Sequence, residues 1–323
     1  MEASKRHEMI EKILAEKFGI PPELSAVIKT HKYKGTTFNG MSPPEILDAI
    51  PDFETREEDV FITSYPKSGT HWLWEVVLLI WANGDKEKID RTSMLSTAFE
   101  TVALSDMKRP TYELVAQAKS PRSIITHLPW QFLPKQVTEQ KKGKIIYIIR
   151  NPKDTLSSVC RFFLGGQDRE EHIWPSLLQS FLEGEIPPGG WYEHVNEYLK
   201  HKDNENVLIV SYEEMKLNFA QVAKSIAKFL GKDLDEEALK KVAENATVKG
   251  MKKSYDDMEK NIPGGAFVAK AMGDKPFIHK GVIGSWKNSF TVFENEMFDK
   301  IYGEKVASLG LDFIYEVKFG GLA

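Results

Sequence analysis

Cysteine and surplus charge are both scarce in this sequence, and each absence excludes a class of protein. The 323 residues include one cysteine, Cys160, so the chain has no internal disulfide and no zinc or iron–sulfur site built from several thiolates. The 43 lysines and arginines stand against 47 aspartates and glutamates, a formal net charge of -4. Nucleic-acid binding through bulk positive charge is therefore not expected. A local basic pocket for a small anion is compatible with this balance.

Long hydrophobic runs are also missing. The most apolar stretch, Trp72–Trp81, contains Glu75 and is about half the length of a membrane-spanning helix, which needs about 20 residues. Residues 1–18 carry several glutamates and no continuous apolar stretch, unlike a signal or transit peptide. The eight histidines include no His-x-x-x-His pair, so no metal site is expected. These features predict a cytoplasmic protein without a membrane span.

Repeats, low-complexity segments and a Gly/Pro-rich linker are absent as well, which predicts a single domain over residues 1–323. Residues 1–30 are expected to be an N-terminal segment that begins with a short amphipathic helix. Four β-branched apolar runs have the character of strands buried on both faces: residues 60–63, 123–126, 145–149 and 207–210.

Helical segments lie between these runs. They are expected to begin near Thr70, Pro152 and Asn218, and each ends at a glycine that suits a helix C-terminus. The order strand, tight loop, helix, strand is typical of an α/β fold with a central parallel sheet flanked by helices. Ligands of such folds bind at the carboxyl ends of the strands.

Residues 251–280 interrupt this pattern. After a short helical start the segment contains Pro263-Gly264-Gly265 and Gly273. A loop this long inside a compact domain is usually functional or disordered. We expect it to be a lid, with a passive excursion of the chain as the alternative.

A loop with lysine and glycine, Ser64–Trp72, follows the first predicted strand and leads directly into an apolar helix. The free N–H groups and the positive dipole end of a helix N-terminus attract anions, and Lys67 adds a full charge. The GxxxxGK[ST] spacing of magnesium-dependent triphosphatases is absent. The loop is predicted to bind phosphate, with an ordinary turn capped by Ser68 or Thr70 as the alternative.

Residues Tyr65–Thr70, followed by Trp72, closely resemble the 5′-phosphosulfate loop of the cytosolic sulfotransferases, which use 3′-phosphoadenosine 5′-phosphosulfate (PAPS). Three further segments match this family in order and spacing: Thr126–Pro129, Ile149–Asp154 with Ser158, and Lys280–Thr291. The likeness extends from about Lys34 to the C-terminus. It implies the P-loop-like sulfotransferase fold, PAPS as the cofactor and PAP as its product.

The resemblance also implies catalytic roles. It makes His127 the general base and Lys67 the cation that stabilises the departing phosphate, and it places Ser158 at the 3′-phosphate. A histidine of ordinary pKa, about 6.5, is mostly neutral at cytosolic pH and can accept a proton. Without the resemblance, a lone histidine before Leu-Pro is more often structural.

Arg150, at the end of an apolar strand, requires an anionic partner because an unpaired charge is rarely buried. The resemblance offers the 3′-phosphate, and an ion pair with Asp154 is the alternative. Trp72 and Tyr212 resemble the aromatic residues near adenine. The expected cofactor-binding residues are Lys67, Ser68, Gly69, Thr70, His71, Trp72, Arg150, Ser158, Tyr212, Val248, His279, Lys280 and Gly281.

The acceptor is expected in an apolar cavity beside the base. Phe162 matches a gate position of the family and Trp130 is a further candidate to line the cavity, although both residues suit a core equally well. A small hydrophobic alcohol, phenol, steroid or amine fits this composition, and the class of acceptor stays open. The pattern KxxxTVxxxE at residues 287–296 matches the family's dimerisation signature and predicts a homodimer, with a permissive coincidence as the alternative.

Three residues depart from the family pattern. Ile125 replaces a lysine two residues before the base. A charged hydrogen bond contributes about 1.5–3 kcal/mol. Loss of the bond from this lysine therefore slows turnover roughly ten- to a hundredfold unless another cation compensates. Val248 replaces an aromatic that stacks on adenine, a contact of about 1–3 kcal/mol. His279 replaces an arginine.

These departures keep a second function open beside a PAPS-dependent sulfotransferase acting on a hydroxyl or amine. It is a degenerate nucleotide- or ligand-binding homologue with little turnover. A nucleotide kinase on a related phosphate-loop fold is a third, and the missing triphosphatase spacing disfavours it.

His279 leads to a test by pH. A phosphate partner raises the pKa of a histidine, so this side chain would be cationic only at mildly acidic pH. We expect cofactor affinity to strengthen as the pH falls from about 8 to about 6. Calorimetry of nucleotide binding over this range measures the effect. A flat profile, or one that His279→Arg leaves unchanged, contradicts the assignment.

Overall fold

The computed structural model describes residues 3–18, 29–89, 98–103, 106–164, 166–251 and 281–317. Its strands are β1 Thr30–Tyr33, β2 Thr36–Asn39, β3 Val60–Ser64, β4 Val102–Ala103, β5 Asp106–Pro110, β6 Ser123–Thr126, β7 Lys144–Ile149 and β8 Val207–Ser211. Its helices are α1 Ala3–Phe18, α2 Pro44–Ala49, α3 Thr70–Trp81, α4 Thr111–Gln117, α5 Lys135–Thr138, α6 Pro152–Phe163, α7 Trp174–Leu182, α8 Trp191–Leu199, α9 Tyr212–Leu217, α10 Phe219–Phe229, α11 Glu236–Asn245 and α12 Val292–Ser308.

The central sheet has four parallel strands in the order β6-β3-β7-β8. These are the four predicted runs, so the predicted α/β fold with a parallel sheet is confirmed. Thr63 is level with Thr126 on one side and with Tyr147 on the other. Because the strands run in register, the residues that follow β3, β6, β7 and β8 meet at one edge of the sheet.

Both faces of the sheet are covered, as the continuous apolar runs predict. Alternate strand residues point to opposite faces, so Phe61 and Tyr147 enter one core cluster whereas Ile62 and Ile146 enter the other. Helix α3 belongs to the second cluster and is buried around most of its surface, which explains why its sequence is apolar without an amphipathic stripe.

The helices after β3 and β7 begin at the predicted residues, Thr70 and Pro152. The helix predicted from Asn218 is α10, which begins directly after Asn218, and the structure adds a further short helix, α9, just before it. Asn218 has φ −129° and ψ 44°, which is not helical. Ser211 begins α9 because its side chain accepts a hydrogen bond from the Glu214 N–H at 3.2 Å.

Apart from α1, which is the predicted N-terminal helix, the remaining elements lie outside the predicted set. Two antiparallel hairpins, β1–β2 and β4–β5, lie apart from the central sheet. The N-terminal segment contains α1, whose buried Arg6 forms ion pairs with Glu183 and Glu185 just after α7. Within the described ranges, no helix has both the length and the apolar character to cross a membrane. The predicted lid lies outside the described residues apart from Met251.

Candidate active site

Four predicted site segments meet at the carboxyl edge of the sheet. The loop 65–69 follows β3, His127 follows β6, Arg150 follows β7, and Tyr212 follows β8. Parallel strands that end level bring together residues far apart in the chain, and this edge is where α/β folds bind ligands. The structure therefore joins the predicted phosphate loop, base and arginine in one place.

The loop after β3 is a tight turn rather than a capped one. Lys67 and Gly69 both have positive φ, 69° and 107°, and no side chain caps the first turn of α3. The hydroxyl of Thr70 instead lies 2.6 Å from that of Ser64. The buried hydroxyl of Ser68 has no hydrogen-bond partner among the described residues. The alternative of a turn capped by Ser68 or Thr70 is therefore wrong.

Position 69 requires glycine because of its positive φ and because Tyr212 and Ile148 lie close to its Cα. A Cβ at this position would lie 2.6 Å from Cδ2 of Tyr212 and 3.2 Å from Cδ1 of Ile148. Contacts under about 3 Å force a rearrangement of the neighbouring atoms. The glycine thus lets the loop pack directly against the residue that follows β8.

Arg150 lies between the loop and Tyr212. Its Nη1 donates to the carbonyl of Lys67 at 3.2 Å, and its guanidinium carbon lies 4.4 Å from the centre of the Tyr212 ring. The side chain is 6 % exposed, and its Nε has no hydrogen-bond partner within the described part of the chain. A buried guanidinium with an unused donor is suited to an anionic ligand.

Asp154 is not the partner of Arg150, so the alternative ion pair is wrong. Its carboxylate instead accepts hydrogen bonds from the N–H of Gly284 at 2.9 Å, the Ser285 hydroxyl at 3.0 Å and the N–H of Trp286 at 2.9 Å. These bonds fasten the C-terminal motif to the start of α6. The predicted Gly281 lies just before this anchor, while His279 and Lys280 lie outside the described residues.

A second buried carboxylate joins the ends of β7 and β8. Glu213 accepts hydrogen bonds from the N–H of Asn151 at 2.9 Å and from its side-chain amide at 3.0 Å. Burial raises the pKa of Glu213, and the Asn151 N–H bond opposes this effect. Sequence reasoning missed Glu213 as well as the anchoring role of Asp154, because their partners are distant in the chain.

Lys67 faces helix α6. Its ammonium lies 4.3 Å from the centre of the Phe162 ring, and Ser158 lies one turn before Phe162 on the same helix. Burial lowers the pKa of Lys67 to about 8, and the positive charges of Arg150 and Arg161 lower it further. Lys67, Arg150 and Arg161 therefore bring positive charges close together at this site, where they repel one another.

His127 is held by its backbone and by one ring nitrogen. Glu100, 5 % exposed, accepts the N–H of His127 at 2.9 Å and the hydroxyl of Thr126 at 2.7 Å. Nδ1 of His127 lies 2.9 Å from the carbonyl oxygen of Ser64. A carbonyl oxygen only accepts, so Nδ1 carries the proton in the neutral ring and Nε2 carries the lone pair. Sequence reasoning missed Glu100, and no local motif marks it.

The protonation of both histidines near the loop is disfavoured. Burial lowers the pKa of His127; the negative charge of Glu100 and the Ser64 carbonyl oppose this effect, and Lys67 adds to it. Burial also lowers the pKa of His71 to about 3, with smaller contributions from Lys67 and His127. Both rings are therefore neutral at physiological pH, the form in which a histidine accepts a proton.

An aromatic group flanks the anion site. The ring of Trp72 meets Tyr212 edge-on at 5.5 Å and stacks on Phe219 at 6.1 Å, and its Nε1 donates to the Ala246 carbonyl at 2.9 Å. Val248, 39 % exposed, lies two residues beyond Ala246. This end of the site has a flat apolar surface of the kind that a base stacks on.

Trp130, a candidate to line the acceptor cavity, and Ile125, a departure from the family pattern, both lie in the core. Trp130 is 8 % exposed and stacks on His201 with ring centres 3.8 Å apart. Ile125 is 3 % exposed and belongs to the core cluster that contains α3. Both side chains therefore pack in the core, which is the alternative that the sequence left open for Trp130.

The residues at this edge fit an anionic nucleotide. A buried hydroxyl at Ser68 and a buried guanidinium nitrogen at Arg150 have no partner among the described residues, Lys67 adds a cation, and Gly69 opens α3 towards the loop. A phosphate supplies oxygen acceptors for these donors.

Comparison with known proteins gives the same family as the sequence motifs. The sulfotransferase domain model matches residues 57–310. Dog sulfotransferase 1A1 is 34% identical over 278 residues, covering 83% of this chain and 90% of that protein. Rabbit amine sulfotransferase is 31% identical over 297 residues, covering 88% of this chain and 93% of that protein.

The structure of mouse sulfotransferase SULT7A1 complexed with PAP is similar as well. It has a TM-score of 0.67 and 34% identity, covering 86% of this chain and 94% of that one. The chain belongs to the sulfotransferase family, enzymes that use PAPS as the sulfonate donor.

Gly69→Ala tests the close approach of the loop to Tyr212. The added Cβ forces the ring away, and Arg150 with it, so we expect a loss of about 1–3 kcal/mol of stability and PAP binding weakened about tenfold or more. Thermal unfolding and calorimetry measure the two effects. Gly35→Ala is the matched control, because Gly35 also has positive φ, 83°, but no atom within 4 Å of an added Cβ. Equal effects of the two variants on PAP binding would contradict the interpretation.

Proposed function

We propose that this chain transfers the sulfuryl group of PAPS to a hydroxyl or amine of a small hydrophobic acceptor. One observation carries the proposal: the neutral ring of His127, with Nδ1 bound to Ser64 and Nε2 left to accept a proton, shares the sheet edge with a buried anion site. A proton acceptor beside an anion site suits group transfer from a phosphate anhydride to a protonated acceptor.

The cofactor would be held by the loop, by Arg150 and by α6. PAPS supplies an activated sulfuryl group on its 5′-phosphate when it is bound. Ser68, Gly69, Thr70 and His71 would contact the 5′-phosphate through the loop and the N-terminus of α3. The resemblance assigns the 3′-phosphate to Arg150, Ser158, His279, Lys280 and Gly281, and the adenine to Trp72, Tyr212 and Val248.

Lys67 would stabilise the leaving phosphate. Its pKa of about 8 keeps most of the side chains cationic at neutral pH. Negative charge that develops on the bridging oxygen favours the charged form of the lysine. The interaction therefore strengthens as the reaction proceeds, which is the condition for a contribution to the rate.

Nε2 of His127 would take the acceptor's proton. The bond of Nδ1 to the Ser64 carbonyl fixes which nitrogen is basic, and that bond becomes stronger when the ring acquires a positive charge. Glu100 holds the backbone of His127 and, through its charge, favours the protonated form. These contacts support a general base more than a structural histidine.

Phe162 is the better supported of the two predicted acceptor contacts. Its ring faces Lys67, whereas Trp130 stacks on His201 in the core. The relatives named above include an amine sulfotransferase, so an amine acceptor belongs in any test beside phenols, steroids and alcohols. We place the reaction in the cytoplasm, as the family resemblance implies.

The experiment is incubation with radiolabelled PAPS and a mixed panel of phenols, sterols, alcohols and amines. We expect labelled product, and we expect His127→Ala to lower the rate about 10²–10⁴-fold because a general base contributes that factor. PAP affinity, measured by calorimetry, should change little. His172→Ala is the matched control, since His172 is exposed.

Other outcomes of this experiment favour the alternatives. Tight PAP binding without product on the whole panel supports the degenerate binding protein, for which Ile125 and Val248 are the motivating departures. Phosphorylation that depends on ATP and magnesium supports the nucleotide kinase. Product formation that His127→Ala leaves unchanged contradicts the assigned base.

A homodimer through residues 287–296 is part of the proposal. Val292 and Phe293, at the start of α12, are 76% and 73% exposed, unusually high values for apolar side chains. The helix begins with a capping box formed by Thr291 and Glu294, which fixes the direction in which these side chains point. An ordered apolar surface of this kind supports a contact with a second copy.

Val292→Glu tests the dimer. A carboxylate buried in the contact without a partner should weaken dimerisation by roughly two orders of magnitude. Size-exclusion chromatography with light scattering, over a concentration series, measures the change. Ile301→Glu on the same helix is the control because Ile301, 47% exposed, lies beyond the 287–296 segment. A native chain that is monomeric at every concentration contradicts the proposal.

A further inference from the structure

A buried histidine that no motif singled out lies behind His127. His194, on α8, is 2 % exposed. Its Nε2 lies 3.0 Å from the carbonyl oxygen of His127, and its Nδ1 lies 2.7 Å from the hydroxyl of Tyr147 on β7. The side chain thus connects a helix and a central strand to the backbone of the proposed base.

The direction of these hydrogen bonds is determined by chemistry. The His127 carbonyl only accepts, so Nε2 of His194 carries a proton. Burial lowers the pKa of His194 to about 3, so the ring is neutral and its Nδ1 accepts from the Tyr147 hydroxyl. The chain of donors therefore runs from Tyr147 through His194 to the carbonyl of His127.

Packing leaves the His194 ring little freedom to turn. It stacks on Tyr147 at 5.6 Å and on Tyr198 at 5.2 Å, and it meets Tyr65 edge-on at 5.7 Å. Three tyrosine rings from β7, α8 and the phosphate loop therefore surround it. A polar side chain enclosed in this way is held in one rotamer.

His194 completes the set of contacts around His127. Glu100 accepts the backbone N–H, Ser64 accepts the Nδ1 proton, and His194 donates to the backbone carbonyl. Each of these three polar groups has a named partner on a different element. Nε2 is the nitrogen that the arrangement leaves for proton transfer.

We propose that His194, oriented by Tyr147, is a positioning residue that fixes the peptide after His127 and thereby aims Nε2 of His127 at the acceptor. The inference rests on the proposed function in so far as it assigns a catalytic consequence to this contact. Misplacement of a reacting group by about 1 Å costs about 10²-fold in rate, so a contact of this kind is expected to matter.

The pH dependence of a His194 variant depends on the charged and titratable groups near His127 and His194. The charges of Glu100 and Lys67 act on His127, and His127 in turn acts on His71. Tyr65, Tyr147 and Tyr198 surround His194, and burial raises the pKa of each of these tyrosines above its ordinary value. The tyrosines therefore stay neutral, and a change in the pH profile of a His194 variant reports on His127 and its charged neighbours.

His194→Leu tests the proposal, with single-turnover rates measured across pH at saturating PAPS. We expect the rate to fall about 10²-fold. We also expect the acidic limb of the pH profile, which reports the protonation of His127, to move while PAP affinity stays the same. His194→Gln keeps a donor near the position of Nε2 and should restore at least a tenth of the native rate.

Tyr198→Phe is the matched control. Tyr198 lies one turn after His194 on α8, is equally buried, and donates to the carbonyl of Leu128 at 2.7 Å, one residue beyond the base. A loss confined to stability should appear in both variants. We expect only His194→Leu to move the pH profile, and equal profiles for His194→Leu and Tyr198→Phe overturn the proposal.

A measurement without turnover separates this inference from the proposed function. In histidine-labelled protein, nitrogen NMR reports whether Nδ1 or Nε2 of His127 carries the proton, with His127→Ala giving the assignment. We expect one tautomer, with Nδ1 protonated, in the native chain and a mixture in His194→Leu. An unchanged tautomer with an unchanged pH profile overturns the positioning role, while absence of product from the native enzyme counts only against the proposed function.

Discussion

The structure depends on keeping positive charge buried at the edge of a parallel sheet. Arg150 is buried and Lys67 is half-buried, and the positive charge of Arg150 lowers the pKa of Lys67. Burying a cation costs free energy unless an anion or hydrogen-bond acceptors compensate. Among the described residues, the protein supplies the several N–H donors of Arg150 with one backbone carbonyl acceptor, and a tyrosine ring lies against the guanidinium. The remaining compensation is the natural task of an anionic ligand.

Two acidic residues at this edge, Asp154 and Glu213, accept hydrogen bonds from other groups. The cations can therefore bind an anionic ligand. Asp154 accepts from the backbone of residues 284–286, and Glu213 accepts from Asn151. Both carboxylates hold chain segments together, and within the described ranges neither forms an ion pair with Arg150, although the charge of Arg150 lowers the pKa of Glu213. The same bonds tie the C-terminal motif to α6 and the end of β7 to the start of α9. The hydrogen bonds of Asp154 and Glu213 thus hold these segments in place, and they also engage carboxylates that could otherwise pair with Arg150.

The sequence predicts the sheet and the two helices next to the loop because their signals are local: apolar runs, a helix start and a glycine stop. The partners of the site residues are not local. Asp154 bonds Gly284, 130 positions away, and His194 bonds His127, 67 positions away. No periodicity within a window of ten or twenty residues contains such pairs. Motif resemblance identifies residues that the structure gathers at the carboxyl edge of the sheet, whereas the residues that hold them in place are visible only in the fold.

Ile125 illustrates how one departure has two opposite effects. The family resemblance puts a lysine here, and under the proposed function its replacement removes a cation from the vicinity of the transferred group. Here the isoleucine instead packs into the core with α3. A lysine near His127 would further disfavour the protonated ring, as Lys67 already does. Under the proposal that His127 is the base, the absence of a lysine raises the basicity of the ring, and the charge of Glu100 acts in the same direction. Under the proposed function, the replacement would therefore exchange a cation near the transferred group for basicity at Nε2 of His127.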